Sequence, residues 1–97
     1  MSERTLVLIP AFNAARTVGD VVRECKTILA DVAVVDDGSA DDTGTVAAAA
    51  GARVVRHPQN RGKGAALKTG FAYALEQGYE AVVTLDADGQ HLPREIP

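Results

Sequence analysis

Two aspartates one residue apart follow an apolar run near the end of the sequence. The stretch TLDADGQHLP (84–93) contains Asp86 and Asp88, with Gln90 two residues further on. Residues i and i+2 of an extended segment point to the same side, so the two carboxylates would lie close together and repel each other. A hard divalent cation, Mg²⁺ or Mn²⁺, relieves that repulsion with oxygen ligands, and Gln90 can add a carbonyl oxygen. Spacing alone would favour a pair that caps a loop, but the position of the pair at a strand end favours a divalent-metal site.

A second pair of carboxylates ends an earlier apolar run. Asp36 and Asp37 close VAVVDD (32–37), and a carboxylate there can accept hydrogen bonds from a nucleobase or from ribose hydroxyls. Asp41 and Asp42 are suited to cap the helix that follows. We therefore expect Asp36 and Asp37 to be available to a ligand.

The basic, glycine-rich stretch RGKG (61–64) precedes a helical pattern. Backbone N–H groups at a helix start, together with Lys63, favour an anion such as a diphosphate, although Lys63 as an ordinary surface lysine is the alternative. The stretch lacks the spacing of a Walker A loop and the Ser or Thr after its lysine. The first loop also lacks GxGxxG, which disfavours a dinucleotide site of the usual kind.

The histidines and the single cysteine carry weaker signals. His57 is expected to close the third strand rather than to bind a ligand. For His91, packing in its loop and facing an acceptor remain equal alternatives. Cys25 lies in a helix-like apolar pattern, which predicts a buried thiol.

Apolar periodicity predicts the elements that position these residues. Continuous apolar runs predict buried strands, and a 3.6-residue period predicts amphipathic helices. Pro10 is expected to end regular pairing of the first strand, and Gly51 to end the second helix. The predicted strands are 5–12, 32–37, 52–57 and 80–88; the predicted helices are 17–30, one that begins within 39–42, and 65–77.

This order, β-α-β-α-β-α-β, predicts a parallel sheet covered by helices and joined by right-handed crossovers. Ligands bind beyond the carboxyl ends of the strands in such folds. The polar clusters all follow strand ends, so we expect them to converge on one crevice.

Length and composition restrict the class of protein. The chain has 97 residues, of which 46% are apolar, so it suits one small globular domain or a piece of a larger one. Its net charge of −3 offers no basic surface for nucleic acid. No apolar stretch is long enough to span a bilayer and no signal peptide is evident, so a cytoplasmic location is expected. The sequence stops at HLPREIP, directly after its most charged motif, which suggests an N-terminal fragment.

Four stretches together resemble a known enzyme family. LIPAFNAARTV, VVDDGSADDT, NRGKGAALKTGFAYA and LDADGQHLP resemble, in order and spacing, the N-terminal half of family 2 glycosyltransferases, and in particular the dolichyl-phosphate mannose synthase-like branch of polyprenyl-phosphate sugar transferases. The resemblance implies a three-layer α/β/α nucleotide-diphospho-sugar transferase fold of the GT-A, Rossmann-like type. Residues 1–97 would be its donor-binding part, and the reaction would be an inverting sugar transfer.

The resemblance also implies roles for individual positions. The residues by the nucleoside would be Pro10, Phe12, Asn13 and Asp37, with Lys63 near the phosphates or nucleoside. The metal ligands would be Asp86, Asp88 and Gln90, with the Ala87 backbone alongside. The catalytic base would be an acidic residue downstream of residue 97. Phe12 stands where many relatives have tyrosine, and Ala14 where many have an acidic residue.

The expected partners are a nucleotide-diphospho-sugar and an acceptor, with a membrane lipid phosphate as the candidate. The longer protein would then work at the cytoplasmic face of a membrane, and the fragment alone would be inactive and would self-associate through its uncovered sheet edge. Two alternatives remain open. One is a nucleotidyltransferase of similar fold, although the first loop lacks the glycine-rich basic signature expected of that class; the other is a non-catalytic nucleotide-binding module.

Overall fold

The computed structural model describes residues 4–87 of the chain. Strands and helices alternate along the sequence, as the apolar periodicity predicts. The strands are β1 (Thr5–Ala11), β2 (Asp31–Asp37), β3 (Arg53–His57) and β4 (Ala81–Thr84); the helices are α1 (Val18–Lys26), α2 (Thr43–Ala49) and α3 (Lys63–Glu76).

The four strands form one parallel sheet in the order β3-β2-β1-β4. The chain moves from β1 outward to β2 and β3, and then crosses back to place β4 on the other side of β1. The strand order therefore reverses between β1 and β4, and parallel α/β sheets bind their ligands at such a reversal.

Helices cover both faces of the sheet, so the predicted three-layer α/β/α architecture is confirmed. One face buries Val7 and Ile9 of β1 against Val18 and Val22 of α1. The opposite face packs Leu6 and Leu8 against α3. Neighbouring residues of β1 therefore enter different halves of the core, which explains why its sequence is a continuous apolar run rather than an alternating one.

The cysteine prediction is confirmed, because Cys25 on α1 is fully buried. Burial raises the pKa of its thiol to about 11, with a smaller contribution from the neighbouring carboxylate of Glu24. The thiol is therefore protonated at neutral pH and belongs to the core.

The prediction that Pro10 ends regular pairing of the first strand was wrong. It lies inside β1 and is paired with Val35 of β2. On its other side, β1 pairs with β4 only over Thr5–Leu8. The strand has one neighbour at this point, and a proline is tolerated where a sheet is paired on one side.

Three further predicted boundaries were wrong. Helix α1 ends at Lys26, four residues before the predicted residue 30. Strand β4 covers four residues and ends at Thr84, well before the predicted residue 88. Helix α3 begins at Lys63, two residues earlier than predicted, so Lys63 and Gly64 form its first turn. No helix among the described residues is long and apolar enough to cross a membrane.

We expect Gly70→Ala to destabilise the protein. Gly70 lies where α3 crosses β1, and a Cβ atom built there would be 2.3 Å from Leu8 Cδ1. Overpacking of this kind costs typically about 1–3 kcal/mol, more than the gain of about 1 kcal/mol from alanine's helix propensity. Urea unfolding should show a lower midpoint with an unchanged slope.

The same helix offers a matched control at Gly64. A Cβ atom at Gly64 would meet nothing within 4 Å. Gly64→Ala should therefore raise the unfolding free energy by roughly 0.5–1 kcal/mol through helix propensity alone. A Gly70→Ala protein as stable as Gly64→Ala would contradict the close approach of α3 to β1.

Candidate functional site

A cleft of about 440 Å³ lies at the carboxyl ends of β1, β2 and β4, where the strand order reverses. Its walls come from all three strand ends and from the start of α3, as the sequence predicts. The lining residues are Pro10, Ala11, Phe12, Ala14, Asp37, Asn60, Lys63, Ala66, Asp86 and Ala87.

The β1 side of the cleft is apolar. Pro10 and Phe12 both line it, and Phe12 is 50% exposed, among the most exposed large apolar residues in the described structure. An aromatic ring held at the mouth of a cleft offers a flat surface on which a planar ring, such as a nucleobase, can stack.

Asn13 joins two loops rather than lining the cleft. Its backbone has φ 50°, in the left-handed region that asparagine tolerates. Its N–H donates to Ser39 Oγ (2.9 Å), and its Oδ1 accepts from the N–H of Ala40 (2.8 Å). Asn13 thereby ties the loop after β1 to the loop after β2.

Asp36 is not available to a ligand, contrary to the sequence-based expectation. Its side chain is completely buried, and its Oδ2 accepts from Arg56 of β3 (2.9 Å). Its Oδ1 accepts from the N–H of Ser39 (3.1 Å). The carboxylate fixes the loop after β2 and the edge strand from inside the protein.

Asp37 lines the cleft, but its carboxylate is held by the protein on both oxygens. Oδ1 accepts from the N–H of Arg61 (2.9 Å) and contacts His57 Nδ1 (2.7 Å). Oδ2 accepts from the N–H of Gly62 (2.8 Å) and from Asn60 Nδ2 (3.1 Å). The loop before α3 folds around this side chain, and contact of Asp37 with a nucleoside stays a prediction.

The pKa of Asp37 reflects these contacts. Burial alone would raise it, but the hydrogen bonds from His57, Arg61 and Gly62 outweigh burial and hold the pKa below its usual 3.8. Asp37 is therefore ionised at neutral pH and supplies a fixed negative charge behind the RGKG loop.

The loop before α3 approaches the end of β2 very closely at Gly38. Gly38 has φ +72°, and a Cβ atom there would lie 2.3 Å from the backbone nitrogen of Asn60. Glycine is required by both the backbone conformation and the space. The glycine of DDGS thus lets the RGKG loop reach the cleft.

Lys63 and Asp86 meet across the cleft. Lys63 Nζ lies 2.8 Å from Asp86 Oδ1, and their side chains are 64% and 27% exposed. The sequence analysis predicted both residues at the site but not this ion pair. The structure thus places a cation directly on the first carboxylate of the DxD motif.

The turn after β4 is fixed by α1. Thr17 Oγ1, at the N-cap position of α1, donates to the carbonyl oxygen of Ala87 (2.6 Å). Ala87 is buried, and the backbone beside Asp86 is therefore held against the start of α1.

Two of the predicted metal ligands, Asp88 and Gln90, and also His91, lie outside the described residues. Within residues 4–87 no group of three or more His, Cys, Asp or Glu side chains is placed to hold a metal ion. Of the predicted metal set, the structure therefore describes Asp86 alone.

Sequence reasoning missed three contributors to the site. Asn60 lines the cleft and contacts Asp37, Thr17 anchors the DxD loop, and Thr69 of α3 contacts His57 Nε2 at 2.8 Å. The prediction for His57 is confirmed, since it is the last residue of β3 and is buried. Periodicity places these polar residues in loops or on a helix but does not reveal partners so distant in sequence.

The sequence matches the family described as glycosyl transferase family 2 over residues 6–97. It is 40% identical over 95 residues to an uncharacterised protein of Methanocaldococcus jannaschii, covering 97% of this chain and 39% of that protein. It is 37% identical over 105 residues to the polyprenol monophosphomannose synthase of Mycolicibacterium smegmatis, covering 98% of this chain and 39% of the synthase.

The fold is also similar to that of a solved enzyme, the glucosyl-3-phosphoglycerate synthase of Mycobacterium tuberculosis. Its complex with Mn²⁺, UDP and glucosyl-3-phosphoglycerate superposes with a TM-score of 0.77 and 31% sequence identity, over 89% of this chain and 34% of that chain. The same enzyme has been solved with Mg²⁺ and UDP.

The chain spans 39% of the length of the first two relatives. The family match nevertheless extends over nearly all of this chain, including the VDDGS, RGKG and DADGQ stretches. On sequence and fold together, the chain belongs to glycosyl transferase family 2.

Proposed function

We propose that the cleft binds the nucleotide-diphospho-sugar donor of a sugar transferase. The observation that carries the proposal is the position of Lys63 and Asp86, a cation and a carboxylate facing each other at the reversal of strand order. The apolar ring of Phe12 at the opposite wall would take the base. The family match and the UDP complexes of a related enzyme support this reading over a nucleotidyltransferase.

The residues present fit a divalent cation. The donor at Asp86 is a hard carboxylate oxygen, and an ammonium group already lies 2.8 Å from it. Asp86, Asp88 and Gln90 would hold Mg²⁺ or Mn²⁺, which would neutralise charge on the departing nucleoside diphosphate. Mn²⁺ and Mg²⁺ complexes of the related synthase support the assignment.

The residues of this chain would bind and orient the donor. Phe12 and Pro10 would confine the base, while the N–H groups at the start of α3 and the ammonium of Lys63 would face the diphosphate. Thr17 would keep the Asp86 turn at a fixed distance through its bond to Ala87. Sugar transfer itself, with inversion, would need an acidic residue beyond residue 97 to activate the acceptor.

The acceptor we propose for the longer protein is a polyprenyl phosphate. The support is the similarity to a polyprenol monophosphomannose synthase. The 97 residues would then supply the donor half of the reaction, at the surface of a membrane that holds the lipid.

Isothermal titration calorimetry with a panel of nucleoside diphosphates tests the donor site. We expect one or more of UDP and GDP to bind in the presence of Mn²⁺, and the affinity to fall at least tenfold in EDTA, because the metal neutralises both the diphosphate and Asp86. Asp88→Asn should reproduce the loss seen in EDTA.

Asp20→Asn is a suitable control, since Asp20 is an exposed carboxylate on α1 paired with Arg23. Its nucleotide affinity should equal that of the unmodified protein. Binding that does not respond to EDTA or to Asp88→Asn would refute the metal assignment, and no binding of any nucleotide would refute the donor site.

A further inference from the structure

Behind the cleft, three side chains form a continuous hydrogen-bonded row that we name the anchoring network: Asp37, His57 and Thr69. Asp37 Oδ1 lies 2.7 Å from His57 Nδ1, and His57 Nε2 lies 2.8 Å from Thr69 Oγ1. His57 is 5% exposed, so both ring nitrogens depend on these protein partners. The network connects the ends of β2 and β3 to the second turn of α3.

The chemistry of Asp37 fixes the direction of its bond to His57. An ionised carboxylate can only accept, so His57 Nδ1 must carry the proton that points at Asp37. Nε2 is paired with the hydroxyl of Thr69, a group that can both donate and accept. Thr69 thereby holds the far side of the ring while the other side donates to Asp37.

Asp37 also holds the loop that precedes α3. The same carboxylate accepts from the N–H groups of Arg61 and Gly62, at 2.9 Å and 2.8 Å. The next residue along the chain is Lys63, whose ammonium faces Asp86. The position of the cation in the cleft therefore depends on a carboxylate that His57 helps to orient.

We propose that His57 and Thr69 are positioning residues for the donor's diphosphate, acting through Asp37 on the loop that carries Lys63. Neither residue lines the cleft, so neither touches the donor in this arrangement. The proposal rests on the proposed function, because it concerns how tightly the same site holds a nucleoside diphosphate.

A purely structural role for Thr69 makes a different prediction. If Thr69 only filled space on α3, a residue of the same shape would replace it without loss. Valine keeps that shape and removes the hydroxyl, whereas serine keeps the hydroxyl and removes a methyl group. The pair Thr69→Val and Thr69→Ser therefore separates hydrogen bonding from packing.

Calorimetry with UDP or GDP and Mn²⁺ provides the first measurement. We expect Thr69→Val to weaken binding about three- to tenfold, and Thr69→Ser to restore binding to within about twofold of the unmodified protein. Equal affinities in all three proteins, or equal losses in both variants, would overturn the proposal.

Amide hydrogen exchange provides a measurement that needs no nucleotide. The amides of Arg61 and Gly62 should exchange faster in Thr69→Val but not in Thr69→Ser, while the core amide of Val34 exchanges at the same rate in all three. Unchanged exchange at Gly62 would overturn the proposal even if nucleotide binds normally. Failure of the unmodified protein to bind any nucleotide, with exchange as expected, would instead refute the proposed function alone.

Discussion

Asp37→Ala is expected to lower the free energy of unfolding by about 3–5 kcal/mol, the cost typical of breaking a buried charge network. The substitution would leave three donors without their acceptor, namely the N–H groups of Arg61 and Gly62 and His57 Nδ1, and would remove one of the two acceptors of Asn60 Nδ2. Each buried donor without a partner costs about 1–3 kcal/mol, reduced where water can reach it. Small domains are stable by only about 5–15 kcal/mol, so the variant should be close to unfolding.

The loss of unfolding free energy in Asp37→Ala should become smaller at low pH. The pKa of Asp37 is lowered in the folded protein, so its contribution is present above the unfolded-state pKa near 3.8 and disappears as the pH falls through the folded-state value. The difference in unfolding free energy between the two proteins should therefore be full at pH 7 and shrink below pH 3.8. Urea unfolding at a series of pH values measures it.

Asp42→Ala is the matched control. Asp42 is exposed at the N-cap position of α2, and its side chain makes no capping hydrogen bond. An exposed residue of this kind changes stability by about 0.5 kcal/mol or less. If Asp37→Ala were equally mild, and nucleotide affinity fell instead, Asp37 would be a ligand-binding residue as the sequence first suggested.

Asp37 and Asp42 show where sequence reasoning is effective. Both lie in VVDDGSADD, and the role of each was predicted from its distance to a predicted strand or helix. The elements themselves were predicted correctly because each strand contains a short apolar run, down to the two valines of β3, and glycines such as Gly51 and Gly78 stop the helices with positive φ. Order and layering follow from such local signals.

The partners of a carboxylate are not local. Asp36 is held by Arg56, and Asp37 by His57 of β3 and by residues of the loop that follows β3. Which of two adjacent aspartates faces a cleft, and whether its oxygens are already occupied, depends on how the edge strand and the next loop fold over it. The motifs predicted where the site lies. Which side chain lines the cleft, and which is held by the protein, was seen only in the structure. The roles of Asp88 and Gln90 stay predictions.

Lys63→Ala is expected to change two affinities in opposite directions. The Lys63 ammonium lies on Asp86 Oδ1, so a metal ion bound by that oxygen would compete with it. An exposed ion pair is worth up to about 1 kcal/mol, so removing the ammonium should strengthen the binding of Mn²⁺ alone by up to about fivefold. The displaced ammonium would in turn be free to contact the diphosphate.

The affinity of Lys63→Ala for the nucleotide should instead decrease. A charge-assisted contact to a phosphate contributes about 1.5–3 kcal/mol, so UDP or GDP in the presence of Mn²⁺ should bind roughly ten- to a hundredfold more weakly to Lys63→Ala. Calorimetric titrations with Mn²⁺ alone, and with nucleotide at saturating Mn²⁺, give the two numbers. Lys63→Arg, which keeps the charge, should lie close to the unmodified protein in the nucleotide titration.

Lys68→Ala serves as the control for a change in net charge, since Lys68 is an exposed lysine on the same helix outside the cleft lining. It should alter neither affinity by more than about twofold, because exposed charges at a distance are screened by salt. If Lys63→Ala weakened both ligands, the ammonium would be supporting the metal site rather than competing with the metal for Asp86. If it weakened neither, Lys63 would be an ordinary surface lysine, and the anion site at the start of α3 would need another cation.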